Sequence, residues 1–118
     1  MGLLDSDGAS KMRGERQAIR QALVTFLRAH GWINQPDPDA SAVLKALLSS
    51  LAAGRAGLLL VNLEDLWLEA RPQNIPSTLR EYPNWRRKAR YSLEAFCQMP
   101  GVTGTLHLID RLRRGIKQ

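Results

Sequence analysis

Two adjacent carboxylates, Glu64 and Asp65, follow an apolar segment and are the first residues in this sequence whose chemistry could support catalysis. A retaining glycosidase needs two carboxyl groups about 5 to 5.5 Å apart that flank one bond. Neighbouring residues of an extended strand point to opposite faces, so this pair does not fit that geometry. Acidic residues are also common in the first turn of a helix, where their negative charge interacts favourably with the helix dipole. We therefore interpret both carboxylates as residues that start a helix.

The sequence pattern predicts neither a metal site nor a cofactor site. His30 and His107 are far apart, and neither has a cysteine or an acid at a spacing typical of zinc ligands. The segment from Gly101 to Gly104 lacks the lysine and the preceding strand of a phosphate-binding loop. Cys97 has no local nucleophile signature, and we expect it to be a small buried side chain.

A polar loop at 71–80 contains the side chains best suited to ligand binding. Gln73 and Asn74 carry amides, which both donate and accept hydrogen bonds, as the hydroxyls of a sugar require. Pro72 and Pro76 restrict the backbone on either side and would hold the two amides in place. Because Asn beside proline is also ordinary turn chemistry, the amides by themselves leave a purely structural role open.

Basic residues give the chain a net charge of +6, and they form two clusters at 86–90 and 111–117. Trp85 lies beside the first cluster and could stack on a base while arginines bind phosphates. Basic clusters also occur as solvated helix faces, and tryptophan commonly serves as a core anchor. We expect no nucleic-acid partner, but a small basic helical module that binds nucleic acid or an acidic protein is the alternative to an enzymatic function.

Hydrophobic spacing predicts a mainly α chain with one β-strand. Helical spacing of apolar residues is found in four segments, at about 10–30, 41–54, 92–98 and 102–114. Gly31 and Gly54 would end the first two helices. Either Asp39 or Ser41 would cap the second helix.

The predicted strand covers residues 58–63, a nearly continuous apolar segment typical of strands that are covered on both faces. A parallel strand needs neighbours for its backbone groups, and no comparable segment occurs elsewhere in the sequence. We expect this lone strand to be covered by helices, to self-associate with a second copy, or to become helical. A strand followed by a polar loop and a helix is also the repeating unit of a βα barrel, where function lies on the loop.

Three closely spaced blocks resemble the C-terminal end of the 4-alpha-glucanotransferases, the amylomaltase or disproportionating-enzyme family. They are Leu63-Glu64-Asp65-Leu66-Trp67, then Pro72-Gln73-Asn74-Ile75-Pro76-Ser77-Thr78, then Glu81-Tyr82-Pro83-Asn84-Trp85-Arg86-Arg87-Lys88. Gly2-Leu3-Leu4-Asp5 is similar to the stretch after the family's last catalytic carboxylate, so the resemblance extends over nearly the whole chain. Ser77 stands where the family usually has glycine, which suits backbone conformations that other residues avoid.

The resemblance implies that residues 1–118 are the C-terminal fragment of a (β/α)8 TIM barrel, with 58–63 as its eighth strand. It implies transfer of α-1,4-glucan segments to an acceptor glucan or glucose, without a cofactor. The family's catalytic carboxylates precede the part that this chain resembles, so we assign no catalytic residue and expect the chain alone to be inactive. The resemblance places Asn74, with Gln73, in substrate binding. It also implies that Trp85 is packed and that the nearby arginines pair with acids elsewhere in the enzyme.

Composition and patterning favour a cytoplasmic protein with no membrane partner. The longest weakly polar segment falls short of the roughly 18 apolar residues that a membrane span needs. The first residues lack the basic start and apolar stretch of a signal peptide. Cys97 is the single cysteine and cannot form an internal disulfide, as is usual in the cytosol. The expected partner is an α-1,4-glucan or a maltooligosaccharide, as the resemblance implies.

Overall fold

The computed structural model describes residues 6–81 and 84–116, and within these ranges all regular structure is helical. The elements in chain order are α1 (Ser6–Ala29), α2 (Ala40–Ala52), a 3-10 helix (Leu63–Trp67), α3 (Leu93–Phe96) and α4 (Pro100–Ile116). The chain divides into two compact units, one up to Leu47 and the other from Leu48 onward, so the division falls within α2. The expectation of a mainly α chain agrees with this structure.

The strand predicted at 58–63 is wrong, because the described residues contain no strand. Residues 58–62 have no regular secondary structure, and Leu63 already begins the 3-10 helix. Leu58 and Leu60 are 74% and 82% exposed. A strand forms only where a second extended segment pairs with its backbone groups, and apolar character does not supply such a partner. The eighth barrel strand and self-association through its edge therefore have no basis in this structure.

The end of α1 is fixed by its backbone. Gly31 has a φ of 78°, a left-handed conformation that glycine adopts at little cost. The N–H of Trp32 donates to the carbonyl of Leu27 at 2.8 Å, and the N–H of Gly31 donates to that of Arg28 at 3.1 Å. These two bonds form a Schellman motif, which satisfies carbonyls that have no partner inside the helix.

An apolar cluster forms the core of the first unit. Leu27 is fully buried and packs with Ile33, Val43 and Ala46, none of which is more than 8% exposed. The cluster is completed by side chains that are partly buried, namely Leu23, Val24, Trp32 and Leu47. Asp39 caps α2, because its Oδ1 accepts a hydrogen bond from the N–H of Ala42 at 2.8 Å. The core of the first unit is thus formed by apolar contacts among α1, the segment that follows it and α2.

The second unit has its own buried residues around the 3-10 helix and α4. Leu66 of the 3-10 helix and Val102 and Ile109 of α4 are buried. Ser92 caps the short α3 by accepting a hydrogen bond from the N–H of Ala95 at 3.2 Å. The ring of Trp67 stacks on Phe96 with a centroid distance of 5.8 Å. These contacts position the polar segment between the 3-10 helix and α3, which contains the candidate site.

Candidate functional site

A cleft of about 620 Å³ lies in the second unit, between the 3-10 helix and the loop at 71–80. Its lining includes the acidic residues Glu64 and Asp65 and the amide residues Gln73 and Asn74. Trp85 also lines the cleft. The two amides that we predicted to bind substrate therefore lie in one concavity with an aromatic ring.

Glu64 connects the 3-10 helix to the loop and to the basic cluster. Its Oε1 accepts a hydrogen bond from Nε2 of Gln73 at 2.7 Å, and its Oε2 accepts one from Arg87 at 2.7 Å. The hydrogen bond from Gln73, followed by the one from Arg87, lowers the pKa of Glu64 below its ordinary value. Glu64 is therefore ionised near neutral pH, where it can accept a hydrogen bond but cannot donate a proton.

Glu69 forms a second acidic partner for the same cluster. Its carboxylate lies 3.7 Å from Arg87 and 3.5 Å from Arg90, and its side chain is only 3% exposed. The N–H of Arg71 donates to it at 3.1 Å, and this bond is the main reason that the pKa of Glu69 is lowered. The two arginines thus pair with acids of this chain, whereas we had expected their partners elsewhere in the enzyme.

Asn84 fixes the second half of the loop. Its Oδ1 accepts a hydrogen bond from the N–H of Ile75 at 2.8 Å, and its Nδ2 donates to Oγ1 of Thr78 at 2.9 Å. The hydroxyl of Thr78 in turn donates to the carbonyl of Ile75 at 2.6 Å. We did not predict this function for Asn84, because its partners lie six to nine residues earlier in the chain and no local motif marks them.

Three residues in and beside the cleft that are not glycine have a positive φ: Leu68 at 57°, Ser77 at 66° and Trp85 at 59°. Residues other than glycine rarely adopt this region, and such conformations often occur at functional sites. In the family that the sequence resembles, glycine is usual at the position of Ser77, and glycine is the residue that this conformation favours. Trp85 is held at its position by its N–H, which donates to the carbonyl of Gln73 at 2.7 Å.

The predicted site residues have different surroundings in the cleft. The amide nitrogen of Gln73 is committed to Glu64, whereas no described residue hydrogen-bonds the side chain of Asn74. Asp65 accepts a hydrogen bond from Asn62 at 3.1 Å. Trp85 is 74% exposed, so the expectation that it is packed is wrong, and Trp67 has the packed position instead.

Other candidate features of the sequence do not form sites in the part of the chain that the structure describes. No group of three or more His, Cys, Asp or Glu side chains in 6–81 and 84–116 could hold a metal ion. Cys97 directly follows the four-residue helix α3 and is exposed rather than buried. None of the described helices has the length and apolar content needed to cross a bilayer. Gly2 to Asp5, Tyr82 and Pro83, which belong to the resemblance, lie outside the described residues.

Comparison with known proteins identifies similar sequences. The family model for 4-alpha-glucanotransferase matches residues 6–94, a range that includes the whole cleft. Curated 4-alpha-glucanotransferases from Mycobacterium bovis and Mycobacterium tuberculosis are 36% identical to the chain over 87 residues. The matched region is 73% of this chain and 12% of each relative, so the chain spans about an eighth of the length of the curated relatives it matches. No solved structure matches the chain.

Proposed function

Since this chain belongs to the 4-alpha-glucanotransferase family, we propose that it supplies a glucan-binding cleft for the transfer of α-1,4-glucan segments to an acceptor glucan or glucose. The observation that carries this proposal is the placement of Gln73 and Asn74 in one cleft within the segment that matches the family. Amides at the wall of a concave site are suited to the adjacent hydroxyls of a sugar, because each amide both donates and accepts.

In this proposal Asn74 makes the main contact with the substrate. Its side chain is half-buried and has no hydrogen-bond partner among the described residues, so both its oxygen and its nitrogen can engage hydroxyls. Gln73 offers the substrate fewer hydrogen-bonding atoms than Asn74 does. Its amide nitrogen donates to Glu64, so we assign only its side-chain oxygen to the substrate, as a hydrogen-bond acceptor. Glu64 thereby sets the orientation of the Gln73 amide.

We propose that the acids of this chain bind and position but do not cleave. A general acid needs a pKa near the working pH, which in glycosidases means that a carboxyl pKa is raised. The pKa values of Glu64 and Glu69 are lowered instead, and both carboxylates are paired with Arg87. Asp65 directly follows Glu64 and accepts a hydrogen bond from Asn62. The chain alone therefore binds glucan without turning it over.

Calorimetric titration of the chain with maltoheptaose tests this proposal. We expect binding, and we expect Asn74→Ala to raise the Kd by roughly ten-fold, the effect of losing one to two hydrogen bonds. Asn34→Ala is the matched control, because Asn34 is an exposed asparagine in a loop of the first unit, and it should bind as the unaltered chain does. Equal affinities for the two variants would contradict the function of Asn74.

Incubation of the chain with maltotriose tests the absence of turnover. We expect neither glucose nor longer oligomers above the level of a blank without protein. Glucose or longer oligomers formed by the unaltered chain above that level would contradict the proposal.

We further propose a cytoplasmic location. Its support is the single cysteine, Cys97, which is exposed and cannot form an internal disulfide. Fractionation of cells followed by immunodetection of the chain would test the location, and recovery from the periplasmic or extracellular fraction would contradict it.

A further inference from the structure

Trp85 is the least expected side chain in the cleft. Tryptophan is highly buried on average in folded proteins, but Trp85 is 74% exposed. The other two tryptophans, Trp32 and Trp67, are both partly buried and pack against apolar or aromatic neighbours. An indole that stays exposed to water forgoes the free energy of burying its apolar surface, so its position needs an explanation other than core packing.

The backbone holds Trp85 where it is. Its φ of 59° is a conformation that a bulky side chain rarely adopts, and its N–H donates to the carbonyl of Gln73 at 2.7 Å. On the other side, Asn84 is hydrogen-bonded to both Ile75 and Thr78. The exposed ring is thus attached to a backbone that is fixed at two consecutive residues, which reduces the entropy that ligand binding would cost.

A glucose unit has the shape and polarity that these groups would bind. Its ring hydroxyls project outward near the ring plane, and its faces present C–H groups that are apolar and slightly positive. The face of an indole is apolar and carries negative quadrupole density, so a sugar ring can lie flat on it while amides beside it hold the hydroxyls. Trp85, Gln73 and Asn74 all line this one cleft.

We propose that Trp85 is a stacking platform for one glucose unit of the bound α-1,4-glucan and that it determines affinity for the chain of sugars. This inference rests on the proposed function, since it concerns the same cleft. Trp85 contributes apolar contact, and Asn74 contributes hydrogen bonds. Replacing one therefore leaves the other's contribution in place.

Titration of the full chain with maltoheptaose, with variants at position 85, tests the inference. Trp85→Ala should raise the Kd by roughly ten-fold or more, as truncation of an aromatic hot spot does. Trp85→Phe keeps an aromatic face and should stay within about three-fold of the unaltered chain. Leu79→Ala is the matched control, because Leu79 is 85% exposed and lies in the same polar segment but outside the lining of the cleft. It should not change the affinity.

Fluorescence provides a readout that a structural function would not affect. Acrylamide should quench Trp85 more than Trp32 or Trp67, and maltoheptaose should protect it; this protection should be absent from Trp85→Phe. Protection together with the ten-fold loss in Trp85→Ala supports the inference. If Asn74→Ala weakens binding but Trp85→Ala does not, the inference is overturned and the proposed function stands. If the unaltered chain does not bind maltoheptaose, the proposed function fails and the inference fails with it.

Discussion

The segment 6–47 and the segment 62–90 are stabilised by different kinds of contact. In the first, a fully buried Leu27 and its apolar neighbours form a cluster without titratable groups. In the second, the loop is held by hydrogen bonds and by ion pairs of Arg87 with Glu64 and Glu69. A polar network needs every partner and the correct ionisation state, whereas an apolar cluster needs only volume and shape. The two segments should therefore respond to different perturbations.

The largest expected effect comes from the apolar cluster. Leu27→Ala should lower the free energy of unfolding by about 3 kcal/mol, because it removes a fully buried side chain and leaves a cavity. Urea unfolding followed by the fluorescence of Trp32, which packs against the cluster, measures this loss. Ile19→Ala is the control in the same helix, since Ile19 is 67% exposed. A loss below 1 kcal/mol for Leu27→Ala would show that the cluster is not the main source of stability in this segment.

Removal of Arg87 should be the most disruptive change in the polar segment. Arg87→Ala leaves Glu64 and Glu69 without their shared partner and should cost about 2 kcal/mol. Indole N–H resonances give separate signals for the two segments, and those of Trp67 and Trp85 should shift while that of Trp32 does not. Arg86→Ala, which alters the exposed neighbour, serves as the control. Equal shifts in the two variants would contradict a specific function for Arg87.

Acidification should also separate the two segments. The lowered pKa of Glu64 means that its ion pair contributes stability above the unfolded value of about 4.5 and loses it as the pH falls through the lower folded value. The pKa values of Glu69 and Glu81 are also lowered, mainly by hydrogen bonds from backbone N–H groups. Their contributions to stability are therefore lost in the same direction, as the pH falls. In a titration from pH 6 downward, we expect the resonances of Trp67 and Trp85 to change below about pH 4.5. A transition of these signals near pH 6 would mean that another group controls the cleft.

The smallest expected effect is a gain. Ser77 has a φ of 66°, so Ser77→Gly should remove backbone strain and stabilise the loop by about 0.5 to 1 kcal/mol. Ser77→Ala keeps the side-chain Cβ and should give no such gain. Thermal unfolding of both variants measures the difference. A lower melting temperature for Ser77→Gly than for Ser77→Ala would contradict the prediction, because the entropy that glycine loses on folding would then exceed the strain that it relieves.

The helices could be read from the sequence because their causes are local. Apolar residues at helical spacing and Gly31 specify α1 and its end, and Asp39 specifies the start of α2 through a bond to a residue three positions away. Whether residues 58–63 form a strand could not be decided from such local signals. Its apolar pattern describes a buried extended segment, but whether such a segment pairs depends on partners that this sequence lacks.

The sequence indicated which residues line the cleft better than it indicated which contacts hold them in place. The amides of the 71–80 loop were identified from their chemistry, and their binding of substrate stays a prediction. The resemblance to the 4-alpha-glucanotransferases is confirmed by the family match. The interactions of Arg87 with Glu64 and of Asn84 with Ile75 join residues that no local pattern connects. The same holds for the exposure of Trp85, which depends on a positive φ that its residue type disfavours.

The hydrogen bond from Arg113 to the carbonyl of Ala56, at 2.7 Å, has a consequence for the order of folding. It joins residues 57 positions apart, and the ion pair of Arg87 with Glu64 joins residues 23 positions apart inside that loop. Closing the longer loop costs roughly 0.8 kcal/mol more chain entropy than closing the shorter one. The shorter loop should therefore close first, so that the residues of the cleft come together before Arg113 of the C-terminal helix reaches Ala56.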